Sequence, residues 1–255
     1  MKVTIIQQDI LWGSPEQNVQ HLDKLLAGAQ GADLYVLPEM FTTGFATQED
    51  AVVEKEPSVA LQWMKRKAAE FNAAFAGSVA LDSGDGKLVN RLYFVRPDGT
   101  FVQYDKRHLF KYGGEHHRFN AGSERKIVEY KGVRILLAVC YDLRFPVWLR
   151  NRGDYDAMLI VANWPKPRRF AWDTLLRARA IENQCYVLAA NRTGSDPVCE
   201  YTGGTAFIDP YGDTLEAVPD NTEGLITGIV DLKHLEEYGK KFPVLDDADD
   251  FEFKK

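Results

Sequence analysis

A chain of 255 residues, 45% hydrophobic and 27% charged, can bury a large core, and one α/β domain over 1–255 is expected, ending in an acidic tail near 244–255. Its 31 Lys and Arg against 37 Asp and Glu give a formal charge of -6, which argues against nucleic acid or an anionic membrane as the main partner, because both select a basic stripe. No apolar run approaches the ~20 residues that cross a bilayer, and "MKVTIIQQDILWG" has no signal-type apolar core with a cleavage site, so a soluble cytoplasmic protein is expected.

"VTIIQQ" reads as a strand, and Ser14 with Pro15 opens a helix that places Val19, Leu22, Leu26 and Ala29 on one face. "DLYVLPE" is a buried strand ended by Pro38. In "SVALQWMKRKAAEFNAAF" the residues Trp63, Met64, Ala68, Phe71 and Phe75 fall close to helical spacing, and the strand "AGSVAL" follows. "RLYFVRPDGTFVQYDK" is a hairpin turning at Pro97, Asp98 and Gly99. Then come strands "RILLAVC" and "AMLIVANW", a helix from about Arg168 to Gln184, the strand "CYVLAAN", and a second turn at Asp209, Pro210 and Gly212. "AAEFNAAFAGSVA" and "ARAIENQCYVLAA" both run from helix into buried strand. This weak internal repeat suggests two similar sheet halves packed face to face in a layered α/β sandwich.

Catalytic groups in such folds sit where strands give way to loops, because a rigid sheet fixes short side chains accurately. Three reactive side chains meet that description: Glu39 after "DLYVLP", Lys106 after "FVQYD" and Cys140 after "RILLAV". A carboxylate, an ammonium and a thiol are the parts needed for acyl transfer. The thiol, with an unperturbed pKa of ~8.5, requires a base, which Glu39 could supply; Lys106 and the backbone N–H of Tyr141 could hold the oxyanion. Each residue also has an ordinary reading: a packed cysteine, a helix-capping glutamate, a solvated lysine. Cys140, Cys185 and Cys199 are far apart and form no C-x-x-C pair, which indicates neither a disulfide framework nor a cysteine-based zinc site.

With their flanks, these positions resemble the nitrilase superfamily, the carbon–nitrogen hydrolases with a Glu-Lys-Cys triad. The matching pieces are "LYVLPEMFTTGF", "YDKRHLF", "GGEHHRFNAGSE", "LLAVCYDLRFP", "IVANWP", "LLRARAIENQCYVLAANRTG" and "GGTAFIDPYGD", in family order over nearly the whole chain. The resemblance implies a four-layer αββα sandwich with Cys140 as nucleophile, Glu39 as general base, Lys106 as oxyanion stabiliser and Glu115 as the second glutamate, which helps position substrate. It implies no cofactor and no metal; adjacent side chains such as those of "EHH" rarely converge on one ion. An internal pairing of Glu115 with His116 or His117 is the alternative at that site.

"CYDLRFP" resembles the omega-amidase branch, which hydrolyses the terminal amide of 2-oxoglutaramate and 2-oxosuccinamate. There the arginine four residues after the cysteine, here Arg144, looks like the carboxylate clamp; a salt bridge with Asp142 is the competing reading. Trp164 could wall the substrate chain, and Phe110, Tyr112 and Phe119 could close the pocket. Arg168 and Arg169 form a second candidate anion site, or simply a solvated helix start. The family's habit of pairing implies a homodimer or larger homo-oligomer through "FPVWLRNRGDYD", with Phe145, Val147, Trp148 and Leu149 exposed. The same triad is compatible with aliphatic amidase, N-carbamoyl hydrolase or nitrilase activity. A Cys-His hydrolase with a base among His21, His108, His116, His117 and His234, or a non-catalytic binding protein, are the alternatives from other classes.

Overall fold

Two runs of chain build two sheets on one plan, seen in a computed structural model that describes residues 1–84, 86 and 88–252. The first run is β1 (Lys2–Gln7), α1 (Pro15–Leu25), β2 (Leu34–Val36), β3 (Glu54–Lys55), α2 (Val59–Phe71), β4 (Ala74–Asp82), β5 (Leu88–Val95) and β6 (Phe101–Asp105). The short α3 (Glu115–Arg118) leads into β7 (Ile127–Tyr130), β8 (Val133–Val139), α4 (Pro146–Leu149), β9 (Ala157–Ala162), α5 (Arg169–Asn183) and β10 (Tyr186–Asn191). The chain then runs through β11 (Thr193–Ser195), β12 (Glu200–Thr202), β13 (Ala206–Ile208), β14 (Thr214–Ala217), β15 (Gly224–Ile229) and α6 (Leu232–Lys241).

The first sheet has the order β15-β1-β2-β4-β5-β6 with β3 against β4, and the second β14-β13-β10-β9-β8-β7. In each, three central strands run parallel and the flanking strands turn back antiparallel. The expected repeat is therefore present in space. Helix α2 ends at Asn72 and α5 at Gln184, both in the left-handed region (φ 49° and 43°), and each helix feeds a strand set between a parallel and an antiparallel neighbour: β4 between β2 and β5, β10 between β9 and β13.

Alternation along the strands makes the layers. Val3, Ile5, Leu34, Val36, Ala74 and Ala76 turn inward to a core shared with β8, β9 and β10, while Ile6, Tyr35 and Phe75 face Val19 and Leu22 of α1 and Trp63, Met64 and Ala68 of α2. Trp172, Leu176 and Ala180 of α5 join the core from the other side of the second sheet. The result is the αββα sandwich. Strands β8, β9 and β10 are buried on both faces, so they read as unbroken apolar runs in the sequence.

Two expectations are corrected. Phe75 lies on β4 rather than on the preceding helix, because the left-handed Asn72 stops α2 at Phe71 and the strand starts at Ala74. Of the four apolar residues expected to be exposed around α4, Trp148 and Leu149 are in the core, Phe145 is half-buried, and Val147 is exposed. A one-turn helix laid on the sheet can present only one side to water.

Candidate active site

Strand β8 hands the chain to Cys140 through a sharp turn. Cys140 has φ of 47°, a left-handed conformation that costs a non-glycine residue about 1–3 kcal/mol and persists only where neighbours over-determine it. The neighbours are visible. The fully buried Asp142 carboxylate accepts the Val139 N–H (3.0 Å), the His108 N–H (2.9 Å) and the Tyr104 hydroxyl (2.7 Å), and His108 Nδ1 lies 2.8 Å from it. Arg179 donates twice to the Leu143 carbonyl, at 2.7 and 3.1 Å. Residues 140–144 are thus clamped as a short 3₁₀ turn, whose first N–H groups, Tyr141 included, lie beyond the reach of bonds within the turn. Glu39 is placed similarly. It follows β2 of the facing sheet, and the next residue, Met40, has φ of 43° and donates its N–H to Ser78 Oγ.

Four groups converge where these strands end. Lys106 Nζ donates to Glu39 Oε1 at 2.9 Å and to both Glu115 oxygens at 2.9 and 3.1 Å, with all three side chains sealed from water. The remaining valences are filled by neutral donors. Asn90 Nδ2 reaches Glu39 (2.7 Å) and Glu115 (3.1 Å), the Asn163 N–H binds Glu39 Oε2 (2.8 Å), and the Phe110 N–H binds Glu115 (2.6 Å). Asn163 Nδ2 also holds the Glu39 carbonyl at 2.8 Å. The Lys106 backbone is pinned between the Asn90 carbonyl and the Gly122 N–H, each at 2.9 Å. Only glycine fits at position 122, since a Cβ there would come within 2.0 Å of the Asp105 carbonyl oxygen.

Burial works against the Lys106 charge, but Glu115 and Glu39 outweigh it and hold its pKa above the ordinary value, so it stays an ammonium. Burial raises the Glu115 pKa, opposed by Lys106 and reinforced by Glu39. Burial, then the Glu39 carboxylate, pushes the Cys140 thiol well above its usual range despite the opposing Lys106. The resting thiol is therefore protonated and faces a carboxylate that can take its proton.

Cys140, 8% exposed, is the member of this group that reaches an adjoining cavity of about 190 Å³. Phe45, Phe110, Tyr112, Tyr141, Trp164 and Tyr201 give the cavity an aromatic wall, and Arg144 and Arg168 line it too. The Arg144 guanidinium sits 4.9 Å over the Trp164 ring, and among the described residues no acid pairs with it; Asp142 is engaged elsewhere. Tyr112, expected at the pocket, is at its rim and 88% exposed.

The structure brings Glu39, Lys106, Glu115, Cys140, Tyr141, Arg144, Trp164, Phe110 and Tyr112 together, but not Phe119. That ring is buried with Met40, Ala46, Ala51 and Ala80, because Phe119 leaves α3 extended and bridges to Leu88. Arg169 also turns away, to Asp173 and Asp220 at 2.7 Å each. Glu115 pairs with Lys106, while the His116 and His117 rings contact each other, tilted by 38°, with centroids 3.9 Å apart. His108 is taken by Asp142 and by a 3.8 Å stack on Phe145, and the described lining of the cavity contains no histidine.

The chain matches the carbon–nitrogen hydrolase family over residues 2–240. It belongs to that family. Among related carbon–nitrogen hydrolases, it is 48% identical over 252 residues to the omega-amidase YafV of Escherichia coli (strain K12), covering 98% of each chain. It is 38% identical over 255 residues to the 2-oxoglutaramate amidase of Bacillus subtilis (strain 168), covering 97% of this chain and 98% of that one. The structure of XC1258 from Xanthomonas campestris, a CN-hydrolase superfamily protein described with an arsenic adduct in its active site, matches with a TM-score of 0.95. That likeness is at 41% identity and covers 100% and 99% of the two chains. Saccharomyces cerevisiae Nit3, of the nitrilase superfamily, shares the fold at a TM-score of 0.83 and 21% identity, over 96% and 94%.

Three residues of this carbon–nitrogen hydrolase hold the site without having been expected to: Asn90 and Asn163 were not singled out in the sequence, and Asp142 was considered only as a salt-bridge partner of Arg144. Asn90 is mid-strand in β5, Asn163 follows β9, and Asp142 follows Cys140 by two. One signal was available: an asparagine inside the apolar runs "LVNRLYF" and "IVANWP" is a polar group entering the core, and such a group needs a partner.

Proposed function

We propose that this carbon–nitrogen hydrolase is an omega-amidase: it cleaves the terminal amide of short dicarboxylic acid monoamides, 2-oxoglutaramate and 2-oxosuccinamate, to ammonia and the dicarboxylate. The observation that carries the reading is the Lys106 ammonium bridging two buried carboxylates beside the Cys140 thiol. The names of the relatives at 48% and 38% identity agree with it.

In the first half-reaction Glu39 takes the thiol proton as sulfur attacks the amide carbon. Lys106 and the Tyr141 N–H receive the developing oxyanion, and loss of one such donor typically costs ~10²–10³ in rate. Glu39 then passes its proton to the departing nitrogen, the carbon–nitrogen bond breaks, and ammonia leaves a thioester on Cys140. In the second half-reaction water gives a proton to Glu39 and attacks the thioester; the product carboxylate departs as the thiol recovers the proton. Burial and the Glu39 carboxylate raise the Cys140 pKa, which favours proton transfer to Glu39 in step with attack. Glu115 keeps Lys106 in place and charged.

Arg144, stacked on Trp164 in the cavity, is the clamp for the distal carboxylate, and a charge-assisted bond of ~1.5–3 kcal/mol would favour acidic over neutral amides by roughly 10- to 100-fold. All three cysteines are free, as a catalytic thiol in the reducing cytoplasm would be. A panel assay tests the reading: ammonia release from 2-oxoglutaramate, 2-oxosuccinamate, glutamine, asparagine, an aliphatic amide and a nitrile. Fastest turnover of the two oxo-acid amides, abolished by Cys140→Ala, is expected. A nitrile or neutral amide as the best substrate would overturn it.

A further inference from the structure

The cavity beside Cys140 holds two arginines, and the proposed function uses one. Arg168 is half-buried at the cavity wall with its guanidinium 5.0 Å over the Phe110 ring, as Arg144 lies 4.9 Å over Trp164. One residue ties the two together: Trp164 carries Arg144 on its face while its Nε1 donates to the Arg168 carbonyl at 2.7 Å. Several other arginines in this acidic chain are matched to acids. Arg91 holds Asp105, Arg125 holds Asp154, Arg134 holds Asp156, and Arg169, next to Arg168, holds Asp173 and Asp220. Among the described residues, Arg144 and Arg168 hold none.

The cavity's described lining offers them one acid, and it is engaged elsewhere. Asp196 is the one carboxylate in its described lining, and it accepts the Val198 and Cys199 N–H groups at 2.8 and 2.7 Å and the Tyr201 hydroxyl at 2.6 Å. Two guanidiniums placed over rings, in a wall that carries six aromatic side chains, are half-buried and only partly hydrated. Such groups gain most from an acceptor pair that is itself planar.

We infer that Arg168 is a specificity-determining residue, the second prong of a two-arginine recognition site that selects a 2-oxo acid over the corresponding 2-amino or 2-unsubstituted acid. This rests on the proposed omega-amidase reading and extends it. A 2-oxo carboxylate presents three oxygens, two on the carboxylate and one on the neighbouring carbonyl, which is more than one guanidinium fork engages. Arg144 takes the carboxylate, and Arg168 takes the 2-oxo oxygen. An amino acid amide places an ammonium at that position, facing two cations, while the one carboxylate of the described lining, Asp196, is already bound by three donors. Glutamine and asparagine are thereby rejected through repulsion as well as through a lost bond.

The test compares wild type, Arg168→Gln and Arg168→Lys on 2-oxoglutaramate, on glutaramate, which lacks the 2-oxo group, and on glutamine. Arg168→Gln should lose roughly 10- to 100-fold in kcat/KM on 2-oxoglutaramate, the worth of one charge-assisted bond, while glutaramate changes by less than about 2-fold and glutamine improves relative to both. Arg168→Lys, which keeps the charge but not the fork, should fall between. An equal loss on 2-oxoglutaramate and glutaramate, or no loss on either, overturns the assignment while leaving the amidase reading intact. Absence of wild-type turnover on 2-oxoglutaramate overturns the amidase reading itself. Calorimetry then decides Arg168 separately. In a Cys140→Ala background, tighter binding of 2-oxoglutarate than of glutarate, erased by Arg168→Gln, supports the second prong, and equal binding of the two acids overturns it.

Discussion

The Asp142 carboxylate accepts the backbone N–H of Val139 at 3.0 Å, so a fully buried acid grips the last strand residue before Cys140. The same carboxylate binds the Tyr104 hydroxyl and the His108 N–H, so donors from three segments converge on one side chain. Asp142→Asn replaces an acceptor oxygen with an N–H₂ facing those donors. Leaving such a buried group unsatisfied costs about 1–3 kcal/mol, and the strained turn at Cys140 relaxes with it. The expected outcome is a lowered unfolding midpoint together with a fall in kcat of about 10- to 100-fold at nearly unchanged KM, because the thiol moves while the cavity stays. A purely structural acid would lower the midpoint and leave kcat per folded molecule alone.

Lys106 sits between two carboxylates, and its removal should be felt first as instability. Lys106→Met leaves Glu39 and Glu115 buried face to face without a cation, which typically costs about 3–5 kcal/mol. Adding Glu115→Gln removes one of the two repelling charges and should restore part of that loss, with a coupling of about 0.5–3 kcal/mol across the double-mutant cycle, measured by urea unfolding. Activity should not return, since the oxyanion donor is still missing. Additive stabilities would remove the electrostatic account of the cluster.

The parts of this architecture legible in the sequence are those whose cause is local. Strands β8, β9 and β10 are buried on both faces, and continuous apolar runs announce them. The Pro97–Gly99 turn closes β5 on β6 through its own residues, with Asp98 accepting the Thr100 N–H at 2.9 Å. The pairing of β1 with β15 joins the two ends of the chain, and nothing local encodes it. Glu39, Lys106, Glu115 and Cys140 were legible because reactive side chains stood at strand ends inside family-like flanks. Asn90 and Asn163 were not, because their importance lies in Glu39, 51 and 124 residues away. Phe119 was misplaced for a related reason: aromatic character does not say which side of a loop a ring takes.

That misplacement separates two aromatic residues by experiment. Phe119 is buried among Met40, Ala46, Ala51 and Ala80, whereas Phe110 lines the cavity beneath Arg168. Phe119→Ala should cost about 3–5 kcal/mol of stability and leave kcat/KM of the folded enzyme within a few-fold. Phe110→Ala removes the ring under a guanidinium and should act mainly on KM for acidic amides. Thermal unfolding and steady-state kinetics on both variants check the division, which fails if Phe119→Ala raises KM as much as Phe110→Ala does.

The second buried thiol sets an alkaline limit on stability. Cys185 is fully buried, and burial pushes its pKa well above the ordinary thiol value of ~8.5. Above that ordinary value the unfolded chain releases the proton while the folded chain keeps it. The folded state then binds more protons, and stability falls as pH rises, by about 1.4 kcal/mol per pH unit for one such group. Cys185→Ala removes this titration, so between pH 9 and 10.5 its unfolding free energy should decline less steeply than wild type by about one proton equivalent, read from urea melts at each pH. Cys140 is shifted in the same direction and remains in both proteins, so it cancels from the difference, leaving the slope as a measure of Cys185 alone. Parallel slopes would mean that Cys185 ionises in the folded protein and that its pocket admits water.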